Sequence, residues 1–298
     1  MMGGGATEHA ERFTQLRPLL FTIAYEILGS ATESDDVLQE SYLRWAEVDL
    51  TTVRDTKSYL AQLVTRQALN ALRAGARRRE DYVGPWLPEP VLLPDASSDA
   101  ILAESVSMAM LVVLETLSPD ERAVFVLREV FGFSHDEIAS AIDKSATAVR
   151  QISHRAREHV HARRKRFAPV DSTVGEQITA QFFLTAATGD LTGLMEMLAP
   201  DVTWTADSDG KVSAARRPVY GADKVGRLVL GLLRGAEQAS ARVELSTYNN
   251  APALVLYLED RLEGVITIEV TDGKISHFYA MRNPEKLAAS MVPRAISR

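Results

Sequence analysis

The sequence predicts a multidomain protein in which two all-α modules precede an α+β domain. Three observations carry that expectation. From Glu8 to Arg79 apolar residues recur at three- and four-residue spacing, the period of amphipathic helices. A proline-rich segment then breaks the pattern, and beyond it two capped helical starts lead into a third, longer helical run. After Pro169 the texture changes to β-rich runs separated by turn signals. These shifts set expected boundaries of 8–80 for the first module, 81–100 for a linker, 101–168 for the second module and 172–290 for the α+β domain.

In the first module, Thr32 opens a T-x-x-D capping pattern ending at Asp35, and the helix it starts places Leu38, Tyr42 and Trp45 on one face. Asp36, Gln39, Glu40 and Leu43 face elsewhere. A further helix is expected over 57–77, burying Leu60, Leu63, Val64, Ala68, Ala71 and Leu72. Its other face presents Arg66, Asn70, Arg73 and Arg77 at spacings of four, three and four.

The linker has prolines at 85, 88, 90 and 94, so it cannot be one helix. A flexible tether is rich in Gly and Ser, whereas this one carries Trp86, Leu87, Val91, Leu92 and Leu93. Such apolar surface is costly to leave in water, which predicts docking on a neighbouring surface.

In the second module, Ser118-Pro119-Asp120-Glu121 combines a capping box with proline at the first helical position. Gly132 ends that helix. Ser134-His135-Asp136-Glu137 is a second capping box, followed by a short helix, a turn at Asp143-Lys144 and a long helix from about Ala146. This is a helix-turn-helix arrangement. Val149, Ile152, Ala156 and Val160 form the inward stripe of the last helix, and Thr147, Arg150, Gln151, His154 and Arg155 the outward one. Arg and Gln are side chains that read guanine and adenine edges, although a solvated charged face gives the same pattern.

In the α+β domain, helical patterns over 175–189 and 190–199 lead to a strand at 202–206, a helix near 223–234, and four β-rich runs. Asn249-Asn250 and Asp272-Gly273 supply turns, so the last strands read as an antiparallel meander packed on helices.

Composition fits a globular chain: 46% hydrophobic and 24% charged residues in 298, with no run long enough for a membrane span. No secretory signal is visible at the N-terminus, so a cytoplasmic location is expected. With no cysteine, disulfides, thiolate metal sites and thiol nucleophiles are excluded. The net charge of −7 conceals two basic concentrations, at 73–79 and at 150–166, which suit local contacts with nucleic acid.

These residues resemble a known family. ESDDVLQESYLRWAE, followed by SYLAQLVTRQALNALRAGARRR, resembles region two of sigma factors, and LSPDERAVFVLREVFGFSHDEIASAIDKSATAVRQISHRARE resembles their region four. WLPEP (Trp86, Leu87, Pro88, Glu89, Pro90) and NPEKL (Asn283, Pro284, Glu285, Lys286, Leu287) look like signature segments of the extracytoplasmic-function subgroup with a SnoaL-like C-terminal extension. The DGGGK-type segment of that subgroup reads Asp207-Ser208-Asp209-Gly210-Lys211 here, keeping the charges and one glycine.

The resemblance implies an alternative sigma factor that directs promoter-specific initiation, with core RNA polymerase and promoter DNA as partners. It implies polymerase binding through Asp35, Asp36, Gln39, Glu40 and Leu43. Melting of the minus-ten element falls to Arg66, Asn70, Arg73, Arg77 and Arg78, residues suited to a single strand. Reading of the minus-thirty-five element falls to Ser145, Thr147, Arg150, Gln151, His154, Arg155 and Arg157. The C-terminal domain, a SnoaL-like cone, is expected to regulate the helical modules in cis, with the linker docking near Asp207, Asp209, Gly210, Lys211 and the NPEKL segment.

Other chemistry is weaker in the sequence. Trp204, Tyr220, His277 and Tyr279 could enclose a pocket, with His277 and Asp201 as acid and base, but no triad or paired-carboxylate signature accompanies them. No catalysis is expected, while an unidentified small ligand remains possible in the C-terminal domain. His154, His159 and His161 lack the spacing of a helical zinc pair, Asp207-x-Asp209-Gly reads as a turn, and no phosphate loop is evident, so no metal or cofactor is expected. A one-component helix-turn-helix regulator with a ligand-binding domain is the alternative, and it leaves the basic helix at 57–79 unexplained.

Overall fold

The computed structural model describes residues 4–94, 99–164 and 172–298. Helices α1 (Gly4–Leu28), α2 (Ala31–Trp45) and α3 (Thr56–Glu80) form a bundle around Leu20, Ile23, Leu38, Trp45 and Leu60, all fully buried. Each such large apolar side chain contributes roughly 1.5–3 kcal/mol on burial. The expected cap of α2 is displaced by two residues. Ser30 is the N-cap, accepting from the Glu33 amide, while the Thr32 amide and hydroxyl donate to Glu89 of the linker at 2.9 and 3.1 Å. A distant carboxylate thus serves the helix start that Asp35 was expected to serve.

The second group comprises α4 (Ala100–Ser105), α5 (Met108–Leu114), α6 (Pro119–Phe125), α7 (His135–Ile142) and α8 (Ala146–Arg164). Both expected capping boxes form, at Ser118 with Glu121 and at Ser134 with Glu137. A π-helical turn over Val126–Val130 extends α6 to the expected end, and Asp143 closes α7 in the left-handed region at φ 56°. Val149, Ile152, Ala156 and Val160 are buried as their spacing requires. They join one continuous apolar cluster with Leu20, Ile23 and Leu60, so the two helical groups share a core.

The C-terminal part contains α9 (Ser172–Ala187), α10 (Leu191–Met197), β1 (Leu198–Asp207), β2 (Val219–Tyr220), α11 (Ala222–Gln238), β3 (Arg242–Tyr248), β4 (Ala251–Leu258), β5 (Arg261–Thr271), β6 (Lys274–Met281) and α12 (Pro284–Ser290). The sheet order is β2-β1-β6-β5-β4-β3. Strands β3 to β6 make the expected antiparallel meander, whereas β1 pairs in parallel with β6, a long-range pairing with no local signal. The sheet has two different faces. Trp204, Ala206, Phe278 and Ala280 pack toward α9–α11, while Tyr248, Val255, Tyr279 and Met281 pack against Leu87 and Met108 of the helical part.

Candidate nucleic-acid interface

On α8, the buried stripe turns the opposite face outward, and Thr147, Arg150, Gln151, His154, Arg155 and Arg157 are all exposed. Ser145 caps the helix by accepting from the Ala148 amide at 3.2 Å, so its hydroxyl already has a structural partner. Arg155 and Arg157 reach back to Glu121 and Glu129 at 3.4 and 2.8 Å. Arg150, Gln151 and His154 make no hydrogen bond or ion pair among the described residues, leaving their donors and acceptors available. Of the basic run expected to end this helix, residues 165–166 and the Arg164 side chain lie outside the described residues.

On α3, Arg66, Asn70 and Arg73 are exposed along one face, while the side chains of Arg77 and Arg78 lie outside the described residues. This face looks toward the second helical group. Arg66 donates to the Ser140 carbonyl at 3.1 Å, and Arg73 pairs with Asp120 at 2.6 Å. Lys144 also pairs with Asp120, at 3.0 Å. Burial raises the affinity of the Asp120 carboxyl for its proton, but bonds from Lys144 and Arg73 outweigh it and hold the group below its ordinary range. Deeper in the same joint, buried Arg122 donates to the Glu26 carbonyl at 2.8 Å and to Glu115 at 2.6 Å. Glu26 accepts from Ser105 at 2.6 Å, and burial pushes its carboxyl up to about 8.

On α2, Asp36, Gln39, Glu40 and Leu43 are exposed, with Leu43 at 58%. Asp35 is different. It accepts from Arg17 at 3.0 Å and from Arg294 near the C-terminus at 3.0 and 3.1 Å.

The linker is docked, as its apolar content requires. Glu89 is buried, with its carboxylate at the start of α2 and its amide bonded to the Gly29 carbonyl at 2.8 Å. Asp207, fully buried at the end of β1, accepts from the Tyr82 hydroxyl, from the Leu87 amide at 2.8 Å and from Lys286 at 2.8 Å. Lys286 also donates to the Leu87 carbonyl at 2.7 Å and lies 3.2 Å from the Trp86 ring centre. Its ammonium is pulled down by burial and held up by Asp207. Asn283 caps α12 and donates to the Tyr82 hydroxyl at 2.8 Å, while Leu287 packs with Leu87. Around this cluster Asp209 accepts from the Val83 amide at 3.2 Å and Lys211 bridges Asp209 and Glu285 at 3.0 and 2.7 Å. Gly210, at φ +65°, turns the chain where an added Cβ would sit 3.2 Å from Val83. Pro284 occupies the first turn of α12.

Sequence reasoning missed a further junction. Asn249, read only as a turn residue, sits at φ 51° and is buried. Its Oδ1 accepts from the Val91 amide at 2.9 Å, and its Nδ2 donates to the Tyr25 hydroxyl at 2.7 Å and the Val106 carbonyl at 2.8 Å. One amide thereby joins the sheet, the linker and both helical groups. The turn propensity of Asn was legible, but its partners lie far off in sequence.

Trp204, Tyr220, His277 and Tyr279, which could have enclosed a pocket, do not converge on one. Strand alternation puts Trp204 on one face and His277 and Tyr279 on the other, and Tyr220 is exposed at the sheet edge. His277 stacks on Tyr279 at 4.2 Å and contacts the Thr205 hydroxyl at 3.2 Å, with burial pushing its pKa down to about 4. Asp201 is exposed and not among its partners. Among the described residues, no group of three or more His, Asp or Glu is arranged to hold a metal, and no helix is long and apolar enough to cross a membrane.

Comparison with known proteins matches residues 12–78 to Sigma-70 region 2 and 107–160 to Sigma-70, region 4. The chain is 36% identical over 290 residues to the ECF RNA polymerase sigma factor SigJ of Mycobacterium tuberculosis, covering 93% of each protein. This chain belongs to the ECF RNA polymerase sigma factors. A probable ECF sigma factor SigI of the same organism is 28% identical over 275 residues, with 91% and 92% coverage. The crystal structure of SigJ superposes with a TM-score of 0.75 at 32% identity, spanning 94% of this chain and 99% of that one. The sigma factor therefore consists of regions two and four plus an α+β extension of the SnoaL-like kind. The one-component regulator is not favoured, because α1–α3 are accounted for by region two.

Proposed function

We propose that this sigma factor binds core RNA polymerase through the exposed Asp36–Leu43 face of α2 together with Asp35, reads the minus-thirty-five element with α8, and melts the minus-ten element with α3. Its C-terminal domain holds regions two and four closed in cis and performs no chemistry of its own. The observation that carries this reading is the state of α3: Arg66 and Arg73 are bonded to region four rather than presented to a strand. Asp35, likewise, is paired with Arg294 from the C-terminal tail. A contact that exists in one arrangement only biases the equilibrium by its differential energy, and Asp207, Asn249, Lys286 and Arg294 make such contacts here. By the same reading the residue boundaries 8–80, 81–100, 101–168 and 172–290 are functional units.

Transcription from a cognate promoter tests this with three proteins at equal concentration. Trimming from Asn283 onward removes the Lys286 and Arg294 contacts and is expected to raise activity. Removal of everything after Ala168 uncovers Leu87 and Met108 and is expected to lower it. Identical activity of all three would sink the proposal that the extension acts on the sigma regions.

A further inference from the structure

The α+β domain encloses a cavity of about 330 Å³ between α9, α11 and the sheet. Phe182, Trp204, Leu228, Leu254, Ile266 and Phe278 are among its walls, and among the described residues the only charged lining ones are Glu263 and Arg282. That volume lies at the lower end of the range for small-molecule sites, and apolar walls with few polar groups are their usual make-up. Leu232 and Val243 are 42% and 40% exposed where α11 and β3 meet the lining, so apolar surface continues from the cavity to solvent.

Two details indicate that the space is kept open. Gly231 and Gly235 both line it from within α11, although glycine is a poor helix former. A Cβ added at either meets nothing within 4 Å, in contrast to Gly226 on the same helix, where Leu191 would lie at 3.1 Å. Both glycines are exposed, so close packing requires glycine at neither position, and a side chain there would stand at the open rim of the cavity.

The polar end has a sign. Glu263 is shared by Arg282, which donates to its carbonyl at 2.9 Å and lies 3.6 Å from its carboxylate, and by Arg261 at 2.6 Å. Two guanidinium groups on one carboxylate leave one positive charge uncompensated. Glu263 is also the only partner of the Arg282 guanidinium among the described residues, so further N–H donors remain.

The cavity also backs onto the linker clasp. Ala206 and Arg282 line it, and their chain neighbours Asp207 and Asn283 hold Tyr82, Leu87 and Lys286 on the opposite face of the sheet. The Arg282 amide donates to the Asp207 carbonyl at 2.7 Å. We propose that this cavity is a binding site for a compact apolar molecule carrying one anionic group, seated on Arg282, and that its occupancy is felt at the Asp207 clasp.

The full-length protein is titrated with two fluorescent probes of similar apolar body, anionic 1-anilinonaphthalene-8-sulfonate and neutral N-phenyl-1-naphthylamine. Both are expected to bind saturably at one site. Gly231→Leu, and independently Gly235→Leu, should weaken both probes at least tenfold while the thermal unfolding midpoint is not lowered. Arg282→Met should weaken the anionic probe at least tenfold and the neutral one less than threefold. Saturation with the anionic probe should change hydrogen exchange of the Leu87 amide at least threefold, and Gly231→Leu should abolish that change. The proposal is overturned if neither probe saturates, if both filled variants bind as the parent does, if Arg282→Met affects the probes equally, or if Leu87 exchange is indifferent to occupancy.

Discussion

Helices α3 and α8 each carry a basic face suited to DNA, and the fold treats the two faces differently. On α8, Arg150, Gln151 and His154 stand in solvent with no partner among the described residues. On α3, Arg66 and Arg73 are bonded to the Ser140 carbonyl and to Asp120 of region four. The helices have similar side chains, so composition does not produce the difference. It comes from the shared core and from Arg122 and Glu26 beneath it, which set region four against α3. On the proposed assignment, a molecule in this arrangement offers α8 to the promoter while withholding α3.

The contrast breaks most readily at the clasp. Asp207→Ala leaves the Lys286 ammonium buried without its carboxylate, and orphaning one member of a buried pair typically costs about 3–5 kcal/mol. The expected outcome is a lower denaturant midpoint and faster exchange of the Leu87 amide. Combining Asp207→Asn with Lys286→Met removes both charges and should cost less; an equal cost would assign the effect to packing of the clasp instead.

The free face is tested by Arg150→Ala with Gln151→Ala. Lost base contacts of this type are worth about 1–3 kcal/mol each, so minus-thirty-five recognition should fall tenfold or more while polymerase binding is unchanged. The same loss should appear in the protein trimmed from Asn283, because the α8 face is already exposed in this structure. Unaltered run-off transcription would remove α8 from base reading.

The joint beneath α3 should respond to pH. Burial keeps Glu26 protonated up to about 8, against an ordinary value of 4.5. The unfolded chain ionises it first, so across this window the native state holds a proton that the unfolded state has released. Stability then falls as pH rises from about 4.5 to about 8 and levels above it. Glu26→Gln should flatten this decline in urea melts at successive pH values. A slope that persists unchanged would point to Glu269, which burial also raises to about 8.

The smallest effect is expected from Asp120→Asn, which loosens the partly exposed pairs to Arg73 and Lys144. Such pairs contribute about 0.2–1 kcal/mol, so promoter opening, followed by permanganate reactivity of minus-ten thymines, should rise by a few fold at most. Closed-complex formation should not change, and added salt should narrow the gap between variant and parent.

Local physics made much of this protein legible in its sequence. Helical period placed Leu60, Val64, Val149 and Ile152 inside and Arg150 and Gln151 outside, because a side chain's direction on a helix follows from its spacing. Serine and glutamate three residues apart fixed the starts of α6 and α7, since both partners of a capping box lie within one turn. The apolar linker with its four prolines announced that it must dock. Where it docks was decided only in three dimensions. Glu89 accepting from the Thr32 amide and hydroxyl at the start of α2, Asn249 joining parts of the chain far apart, and Arg294 meeting Asp35 all depend on partners brought together by the shared core and the sheet. The separation of Trp204 from His277 has the same origin: strand alternation assigns residues to opposite faces, but only the parallel pairing of β1 with β6 determines what each face meets.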